Sequence, residues 1–358
     1  MMEELRKLDA ELDRFILRPN DFLELMIETW SKNIHQSVHM EGNPLTLGEV
    51  ERITGDSLRG LSPQYDDRDR LEILNHVIVL SDPGSWGPPW TIETITGLHR
   101  FLFAGDPSVK AGELRTSVDA EEGTFGVWSP SKSQLLFRPA PARQVEEELR
   151  SLLEWRNTVA PVLFPAAAAS VFFHEFESIH PFTDGNGRLG RVLFHTYLQQ
   201  EGLRNSNLCP IEPELTTDVD LYYRMLAWTD DRGEYSDLVE YFTEALLRSY
   251  ETAVSRCSQR DSLSAALDED AKRLLVRAKQ RAGPFSAAEA ATWVPNIGYL
   301  TLLKKLHHLV DEGVLEATGR TRSRRFRFVD PLAGFRAARA AQGVSAPGSP
   351  QRPGGPAA

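Results

Sequence analysis

One short stretch, residues 180–191, constrains this chain more than any other part of its sequence. It reads HPFTDGNGRLGR and continues into apolar residues at helical spacing, which predicts a helix from Gly187 to a stop at Gly202. Glycine at 185 and 187 allows positive φ, so the loop can turn successive N–H groups into one concavity. Such a loop, at the positive end of a helix dipole, is suited to binding an anion.

Charged side chains in the same stretch supply what a phosphate-transfer site needs. Arg188 and Arg191 are three residues apart, so they lie on one helical face, where their guanidinium groups can clasp a polyphosphate. Asp184 is a hard oxygen donor of the kind that Mg²⁺ shares with water and substrate phosphates. His180 has an ordinary pKa near neutral pH and can accept a proton from a hydroxyl that attacks phosphorus.

Two other interpretations of this stretch stay open from the residues alone. The glycines can form a plain connector between two helices, with no ligand. His174, His180 and Asp184 can together hold zinc, although the chain lacks the HExxH pattern and the paired cysteines that usually mark such a site.

The stretch resembles the signature of the Fic family, His-Pro-Phe-x-Asp-Gly-Asn-Gly-Arg-x-x-Arg, and matches it at every specified position. The resemblance implies a mainly α fold, a Fic-type helical bundle with a short β-hairpin flap. It also implies transfer of AMP from ATP to a Ser, Thr or Tyr hydroxyl of a target protein or of the chain itself. The implied general base is His180 and the implied Mg²⁺ ligand is Asp184. The implied ATP and phosphate contacts in the stretch are Thr183, Gly185, Asn186, Gly187, Arg188 and Arg191.

Position 187 bears on which group is transferred. Relatives that transfer phosphate typically carry Lys there, whereas this chain has Gly187, which leaves room for the β-phosphate of a nucleotide. The resemblance therefore favours AMP transfer over phosphate transfer. It also implies Tyr222 or Tyr223 as a contact to adenine or ribose, with ordinary core packing as the alternative for both rings.

A second motif, SVHMEG at residues 37–42, bears on regulation. Ser37 and Glu41 are four residues apart, on one face of a helix that Gly42 is expected to end. The motif resembles the inhibitory segment that some Fic proteins carry ahead of the catalytic core. The resemblance implies that Glu41 pairs with Arg191 and displaces the γ-phosphate; a capped helix end is the alternative. In some relatives the equivalent carboxylate also aligns a water that removes AMP, so a bifunctional enzyme is a further alternative.

Two segments resemble the family's flap, a hairpin that holds the target near the histidine by main-chain pairing. The first includes Arg115 and Thr116, and the second covers residues 137–141. The polar stretch between them is longer than a tight hairpin needs.

The region after residue 260 predicts a second module. Arg260–Ala340 contains 15 Lys and Arg against 9 Asp and Glu, a net charge of +6, whereas the rest of the chain carries −17. Three helices and a hairpin are predicted there, an order that resembles a winged helix-turn-helix: 267–282, 286–294, 296–312 and 314–329. In a winged helix the third helix enters the major groove of DNA and the wing meets phosphates. The candidate DNA contacts are Asn296, Tyr299, Lys304, Lys305, Arg320, Arg322, Arg324 and Arg325, and a docking module without DNA is the alternative.

Stretches rich in turn- and loop-forming residues predict a division of the chain into four regions. Residues 1–90 form an N-terminal helical region with the inhibitory motif, 91–255 the Fic core, and 262–336 the winged-helix-like domain. Residues 337–358 are rich in Pro, Gly, Ser and Ala and are expected to be a disordered tail.

Composition narrows the class of protein further. The two cysteines, Cys209 and Cys257, have no paired spacing, so neither a disulfide framework nor a zinc knuckle is expected. The N-terminus is charged rather than leader-like and no apolar run reaches bilayer length, which favours a cytoplasmic protein with no membrane contact. A homodimer is among the expected assemblies. Two functions remain: an adenylylating enzyme restrained by Glu41, and a DNA-binding regulator whose pocket senses nucleotide.

Overall fold

The computed structural model describes residues 1–61, 64–117, 127–128, 135–281, 283–320 and 323–342. Within these residues the chain is mainly helical, as predicted. The α-helices are α1 (Met2–Leu12), α2 (Pro19–His39), α3 (Leu47–Leu58), α4 (Arg68–Leu80), α5 (Ile92–Leu102), α6 (Val145–Thr158), α7 (Pro165–Ile179), α8 (Asn186–Gln200), α9 (Ile211–Leu215), α10 (Val219–Arg232), α11 (Ser236–Arg260), α12 (Glu269–Gln280), α13 (Ala287–Trp293), α14 (Tyr299–Asp311) and α15 (Ala333–Gln342). Two antiparallel pairs of strands accompany them: β1 (Val127–Trp128) with β2 (Leu135–Phe137), and β3 (Leu315–Thr318) with β4 (Arg325–Phe328).

Helix α8 is the centre of the larger bundle. Every residue from Arg188 to Leu198 is buried, which is typical of a helix surrounded by others on all sides. Aromatic rings of α7 pack along it: Phe172 lies 6.0 Å from Tyr197, and Phe173 lies 6.2 Å from Phe194, between ring centroids. The loop of the 180–191 stretch is therefore held between two well-packed helices.

Helix α7 ends where the catalytic-type motif begins. Proline at 165 occupies its first turn, where a missing N–H costs nothing. Its last residue is Ile179, and His180 then adopts the left-handed conformation with φ 49° and ψ 63°. Pro181 follows, and a residue before proline is disfavoured in the right-handed helical region, so the helix stops.

Helix α2 ends earlier than predicted. Its last residue is His39, so Ser37 lies in the final turn whereas Glu41 lies in the turn that follows. Gly42 has φ 94°, and the N–H of Asn43 donates to the carbonyl of Val38 at 3.0 Å, which closes the helix end. This turn, rather than a continued helix, presents Glu41 to the site.

The regions predicted as 1–90 and 91–255 share one hydrophobic core. Helix α1 is joined to α11 by the Tyr250 hydroxyl, which donates to Asp9 at 2.9 Å. The Trp30 indole of α2 donates to the carbonyl of Asn207 at 2.9 Å. The N-terminal helices thus pack as part of the catalytic bundle, and residue 90 is not a boundary between cores.

A second hydrophobic core holds α12, α13, α14 and the β3–β4 hairpin together. Leu274, Leu302, Leu306 and Phe326 are almost completely buried in it. The order of three helices and a hairpin agrees with the sequence prediction, while a winged helix as such stays a prediction. Helix α14 begins at Tyr299 and not at 296.

Helix α15 corrects the prediction of a disordered tail from residue 337. It spans Ala333–Gln342, because Leu332 and Phe335 are buried in the core of the larger bundle and Arg339 reaches the Ser81 hydroxyl at 3.3 Å. Residues 343–358 lie outside the described residues.

Both cysteines, Cys209 and Cys257, are free thiols and both are buried. Among the described helices, none combines the length and the apolar character needed to cross a membrane.

Candidate functional site

His180 is held in its left-handed conformation by an arginine clamp. A left-handed, non-glycine residue costs about 1–3 kcal/mol and persists only where surrounding contacts impose it. Arg115 is buried, and its guanidinium donates to the carbonyls of His180 at 2.7 Å and Ile179 at 2.9 Å, and also to that of Ala140. The Arg115 N–H donates to the carbonyl of Pro181 at 2.9 Å. The residue predicted for the flap therefore fixes the end of α7 and with it the histidine.

The loop between α7 and α8 is closed by the Asn186 side chain. Its amide accepts from the N–H of Phe182 and donates to the same residue's carbonyl, both at 2.9 Å. The Asn186 side chain thus fixes the shape of the loop, and the role of Asn186 in an anion hole stays a prediction. Gly185 has φ 83°, whereas Gly187 lies in the first turn of α8 without positive φ, so the prediction of positive φ at both glycines was wrong for Gly187.

His99, which the sequence did not mark as a site residue, supports the loop through two hydrogen bonds. The N–H of Gly112 donates to His99 Nδ1 at 2.9 Å, so the ring proton is on Nε2, which donates to the carbonyl of Asp184 at 2.9 Å. The ring stacks on Phe182 with 3.7 Å between centroids, and burial lowers the pKa of His99 to about 4. A neutral His99 thus ties the base of the flap to the loop.

Arg188 does not project freely into the site. Its guanidinium donates to Glu72 at 2.6 Å and to Asp184 at 2.8 Å, and lies 4.5 Å over the Phe103 ring. Glu72 is in turn bonded by the Asn43 amide at 2.8 Å. The residue predicted for phosphate contact is therefore engaged in a network that links α4, α8 and the turn after α2.

Arg191 is buried and bonded to the inhibitory segment. It donates to the Ser37 hydroxyl at 2.7 Å, to the Ser37 carbonyl at 2.9 Å and to Glu41 Oε1 at 2.9 Å. The structure thus brings together the two motifs that the sequence separates by 150 residues. The Glu41 side chain keeps 28% of its surface exposed, so the pair is accessible to solvent on the side of the carboxylate.

Glycine at 187 makes room for the Glu41 carboxylate. A Cβ placed there would lie 2.5 Å from Glu41 Oε1 and 3.1 Å from Arg191 Nη1. The space that the sequence assigned to a nucleotide phosphate is therefore filled by the carboxylate of the protein itself, at the N-terminus of α8, where the helix dipole favours a negative charge.

Burial and neighbouring charges determine the protonation states of Glu41 and His180. Burial alone would raise the pKa of Glu41, but the positive charges of Arg191 and Arg188 outweigh it and hold that pKa below its usual range. Burial and the nearby Arg115 lower the pKa of His180 to about 4. At neutral pH the site therefore contains a charged Glu41 and a neutral His180.

Asp184 is the exposed carboxylate of the loop, with 55% of its side chain accessible. One oxygen, Oδ1, accepts from the N–H of Gly185 at 2.6 Å and from Arg188. No group of three or more His, Cys, Asp or Glu side chains in the described ranges is arranged to hold a metal ion. Mg²⁺ usually takes one or two protein carboxylates and completes its shell with phosphates and water, so a single exposed carboxylate beside the N-terminus of α8 fits it.

The remaining predicted residues lie around this centre. Tyr222 is buried against Phe173 and beside Arg191, and Tyr223 is half-buried next to it. Thr183 is half-buried in the loop and Thr116 is exposed at the flap base. The flap between residues 118 and 134 lies outside the described residues apart from β1.

His174 does not join the site. Its Nε2 lies 3.1 Å from the carbonyl of Leu226 and 3.4 Å from Asp230 Oδ1, both on α10. It therefore packs between α7 and α10, as expected of a core histidine, and the zinc interpretation of His174, His180 and Asp184 gains no support from the described residues.

Residues 89–198 match the model of the Fic/DOC family. The helical bundle and the loop geometry agree with that match, and the chain therefore carries a Fic domain. The match covers the whole 180–191 stretch and excludes α2.

Two curated relatives illustrate the resemblance. The protein adenylyltransferase fic-1 of Caenorhabditis elegans is 26% identical over 186 residues, 50% of this chain and 33% of that protein. The protein adenylyltransferase Fic of Nematostella vectensis is 23% identical over 270 residues, 72% of this chain and 54% of that protein. The chain thus spans between a third and about half of the length of these two relatives.

A solved structure of a Fic family protein from Desulfovibrio desulfuricans resembles almost the whole chain. The TM-score is 0.56 at 23% identity, and the match covers 91% of this chain and 96% of the other. At this identity the match establishes a common fold.

Proposed function

We propose that this chain transfers AMP from ATP to a hydroxyl side chain of a protein, and that Glu41 restrains the transfer. The observation that carries the proposal is the placement of the Glu41 carboxylate above Gly187, where it bonds to Arg191. The Glu41 carboxylate already occupies the N-terminus of α8, so this helix end binds negative charge. A triphosphate that binds there would have to replace the carboxylate. Relatives named as adenylyltransferases support the same reaction.

The reaction follows from the position of His180. The imidazole accepts the proton of the acceptor hydroxyl while that oxygen forms a bond to the α-phosphorus of ATP. The bond from the α-phosphorus to the oxygen bridging to the β-phosphorus breaks, and pyrophosphate leaves with its electron pair. The products are the AMP ester of the hydroxyl, pyrophosphate and a protonated His180.

The phosphates are expected to lie against the first turn of α8. Its free N–H groups and the guanidinium of Arg191 are the donors for them, and Gly187 leaves the space. Asp184 would hold Mg²⁺, which supplies positive charge to the phosphates when it is bound. Arg188 keeps Asp184 in place through their 2.8 Å bond and adds charge near the same phosphates.

Restraint by Glu41 follows from competition for Arg191. A guanidinium that already donates to a carboxylate has fewer N–H groups for a γ-phosphate, and the pair is shielded by burial of the arginine. A change that removes the Glu41 carboxylate is expected to release activity. The acceptor is expected to be a Ser, Thr or Tyr of another protein, or of this chain, held against the flap.

The test uses ATP labelled either on the α-phosphate or on the γ-phosphate, with Mg²⁺ and the full chain. The wild type, Glu41→Gly and the double variant Glu41→Gly/His180→Ala are compared. We expect α-label on protein only in Glu41→Gly, and no γ-label in any variant. Transfer of γ-label, or α-label that persists without His180, would contradict the proposed chemistry.

DNA contact by the C-terminal module is a second candidate, supported by one observation. Tyr299 is 57% exposed at the start of α14, and Lys304 is exposed five residues later on the same helix. Lys305 pairs with Asp268 and keeps only 15% of its side chain exposed, so it is removed from the candidates. Arg322 lies outside the described residues.

Fluorescence anisotropy with a labelled DNA duplex tests this second candidate. If the module contacts DNA, Lys304→Ala weakens binding and lowers its dependence on salt, because one phosphate contact is lost. Equal affinity of Lys304→Ala and the wild type for the duplex would show that Lys304 makes no phosphate contact.

A further inference from the structure

The Glu177 carboxyl lies in the centre of the site, and the proposed transfer gives it no role. It projects from the last turn of α7, where 18% of its side chain is exposed. Its Oε1 atom is buried and has no hydrogen-bond partner among the described residues. A Cβ at position 190 would lie 2.4 Å from this atom, so Gly190 of α8 provides the space that the carboxyl occupies.

Ionisable groups face Glu177 from every side. Its Oε2 atom lies 3.9 Å from His180 Nδ1, a distance too long for a hydrogen bond but short enough for one charge to act on another. The other titratable or charged groups near it are Arg191 of α8, Glu41 after α2, and Tyr222 and Tyr223 of α10. The carboxyl therefore sits between the inhibitory pair and the histidine.

Glu177 is neutral while Glu41 is in place. Burial is the main cause that raises the pKa of Glu177 to about 8; Arg191 opposes the rise and the negative charge of Glu41 adds to it. One arginine faces two carboxyl groups, and only the one that is bonded to it, Glu41, is ionised at neutral pH.

We propose that Glu177 is a positioning residue that becomes a carboxylate when Glu41 leaves Arg191, and that its charge then supports His180 as the proton acceptor. This inference deepens the proposed AMP transfer and rests on it. In the nucleotide-free protein, in which the titration below is made, two changes favour ionisation when Glu41 leaves: a neighbouring negative charge is lost, and the positive charge of Arg191 is no longer neutralised. The carboxyl proton passes to solvent, to which 18% of the Glu177 side chain is exposed.

The charges around His180 decide how strong a base it is. With Glu41 in place the pKa of His180 is already about 4, and the charge of Glu41 is one of the groups that raise it. Loss of Glu41 alone would therefore make His180 a still weaker base. A base with so low a pKa has little tendency to take a proton from a hydroxyl near neutral pH.

An ionised Glu177 replaces the lost negative charge at closer range. Facing Nδ1, it favours the tautomer that carries its proton there and leaves Nε2 as the acceptor, and it stabilises the imidazolium that forms. The transferred proton stays on His180, and Glu177 takes no part in bond making or breaking.

The first test measures the pKa of His180 directly, without nucleotide. The full chain with Glu41→Gly is labelled at histidine, and the ring resonance of His180 is assigned from its loss in His180→Ala. We expect the further change Glu177→Gln to lower the pKa of His180 by about one to three units. Glu175→Gln is the matched control, because Glu175 lies on the same helix but bonds to the Tyr235 hydroxyl at 2.6 Å, away from the site.

The second test is the pH dependence of kcat/KM for AMP transfer, which reports the ionisations of the free enzyme. In the Glu41→Gly background, Glu177→Gln is expected to move the acid limb to lower pH and to reduce the plateau. Gly190→Ala, which displaces the carboxyl without removing it, is expected to act in the same direction. A purely structural role would instead lower the rate equally at every pH.

An unchanged pKa of His180 in Glu177→Gln would overturn the inference. The titration needs no turnover, so its outcome is separate from that of the proposed reaction. If the pKa shifts and no variant transfers AMP, the link between Glu177 and His180 holds and the proposed function fails.

Discussion

Removing the Glu41 carboxylate is expected to tighten nucleotide binding by a predictable amount. The pair contributes one charge-assisted hydrogen bond of 2.9 Å to a buried arginine. Such a bond is worth ~1.5–3 kcal/mol, and a nucleotide that must displace it binds more weakly by about 10- to 150-fold. Glu41→Gly should recover that factor.

The graded variant Glu41→Gln sharpens this prediction. A glutamine of the same shape can still accept from Arg191 but carries no charge, so we expect a recovery of about 3- to 10-fold, between wild type and Glu41→Gly. The matched control is Glu24→Gln, on helix α2. Glu24 is 52% exposed, pairs with Arg59 and lies outside the site.

Isothermal titration calorimetry with MgATP measures the effect. All variants carry His180→Ala, so that no turnover disturbs the binding curve. The reasoning is refuted if Kd in Glu41→Gly stays within twofold of the parent, or if Glu24→Gln gives the same gain. Either result would mean that Glu41 does not compete for the phosphate donors.

Three further outcomes follow from the same geometry. In urea denaturation, Gly185→Ala should lower the free energy of unfolding by ~1–3 kcal/mol more than Gly202→Ala does. A Cβ at position 185 would lie 2.4 Å from an aromatic ring, whereas Gly202, which also has positive φ, has open space around it. Arg115→Ala, which removes the clamp on the end of α7, should cost ~2–4 kcal/mol by the same measurement. In the Glu41→Gly background it should also abolish labelling; normal stability with normal labelling would contradict the clamp. Burial lowers the pKa of His99 from 6.5 to about 4, so the folded state holds that ring neutral. The contribution of the neutral ring to the free energy of unfolding is therefore complete above pH 6.5 and is lost as the pH falls toward 4. The stability difference between wild type and His99→Gln should therefore shrink by ~2 kcal/mol from pH 7 to pH 5, and a difference independent of pH would show that the ring is not held neutral.

Much of the catalytic stretch was predictable because its signals are local. Residues 180–191 form a loop and a helix start whose glycines and arginines act within one or two turns of chain, and α8 begins one residue from its predicted start. The helix order of the C-terminal module was predictable for the same reason, since a capping residue such as Ser286 marks a helix start directly.

Contacts between distant segments could not be predicted from the residues alone. Nothing local to His99 indicates that its ring joins Gly112 to Asp184, and nothing local to Glu72 indicates that it binds Arg188. The pKa of Glu177 depends on how completely α8 covers it, which is a property of packing.

The sequence by itself determined the chemistry available to this protein: a histidine, a carboxylate, an anion-binding loop and two arginines in one segment, with a glutamate motif far upstream. The tertiary structure alone decided how these groups are used, because burial and charge act through space. It placed Glu41 on Arg191, committed Arg188 to Glu72, and left the Glu177 carboxyl, with its Oε1 atom buried, near His180.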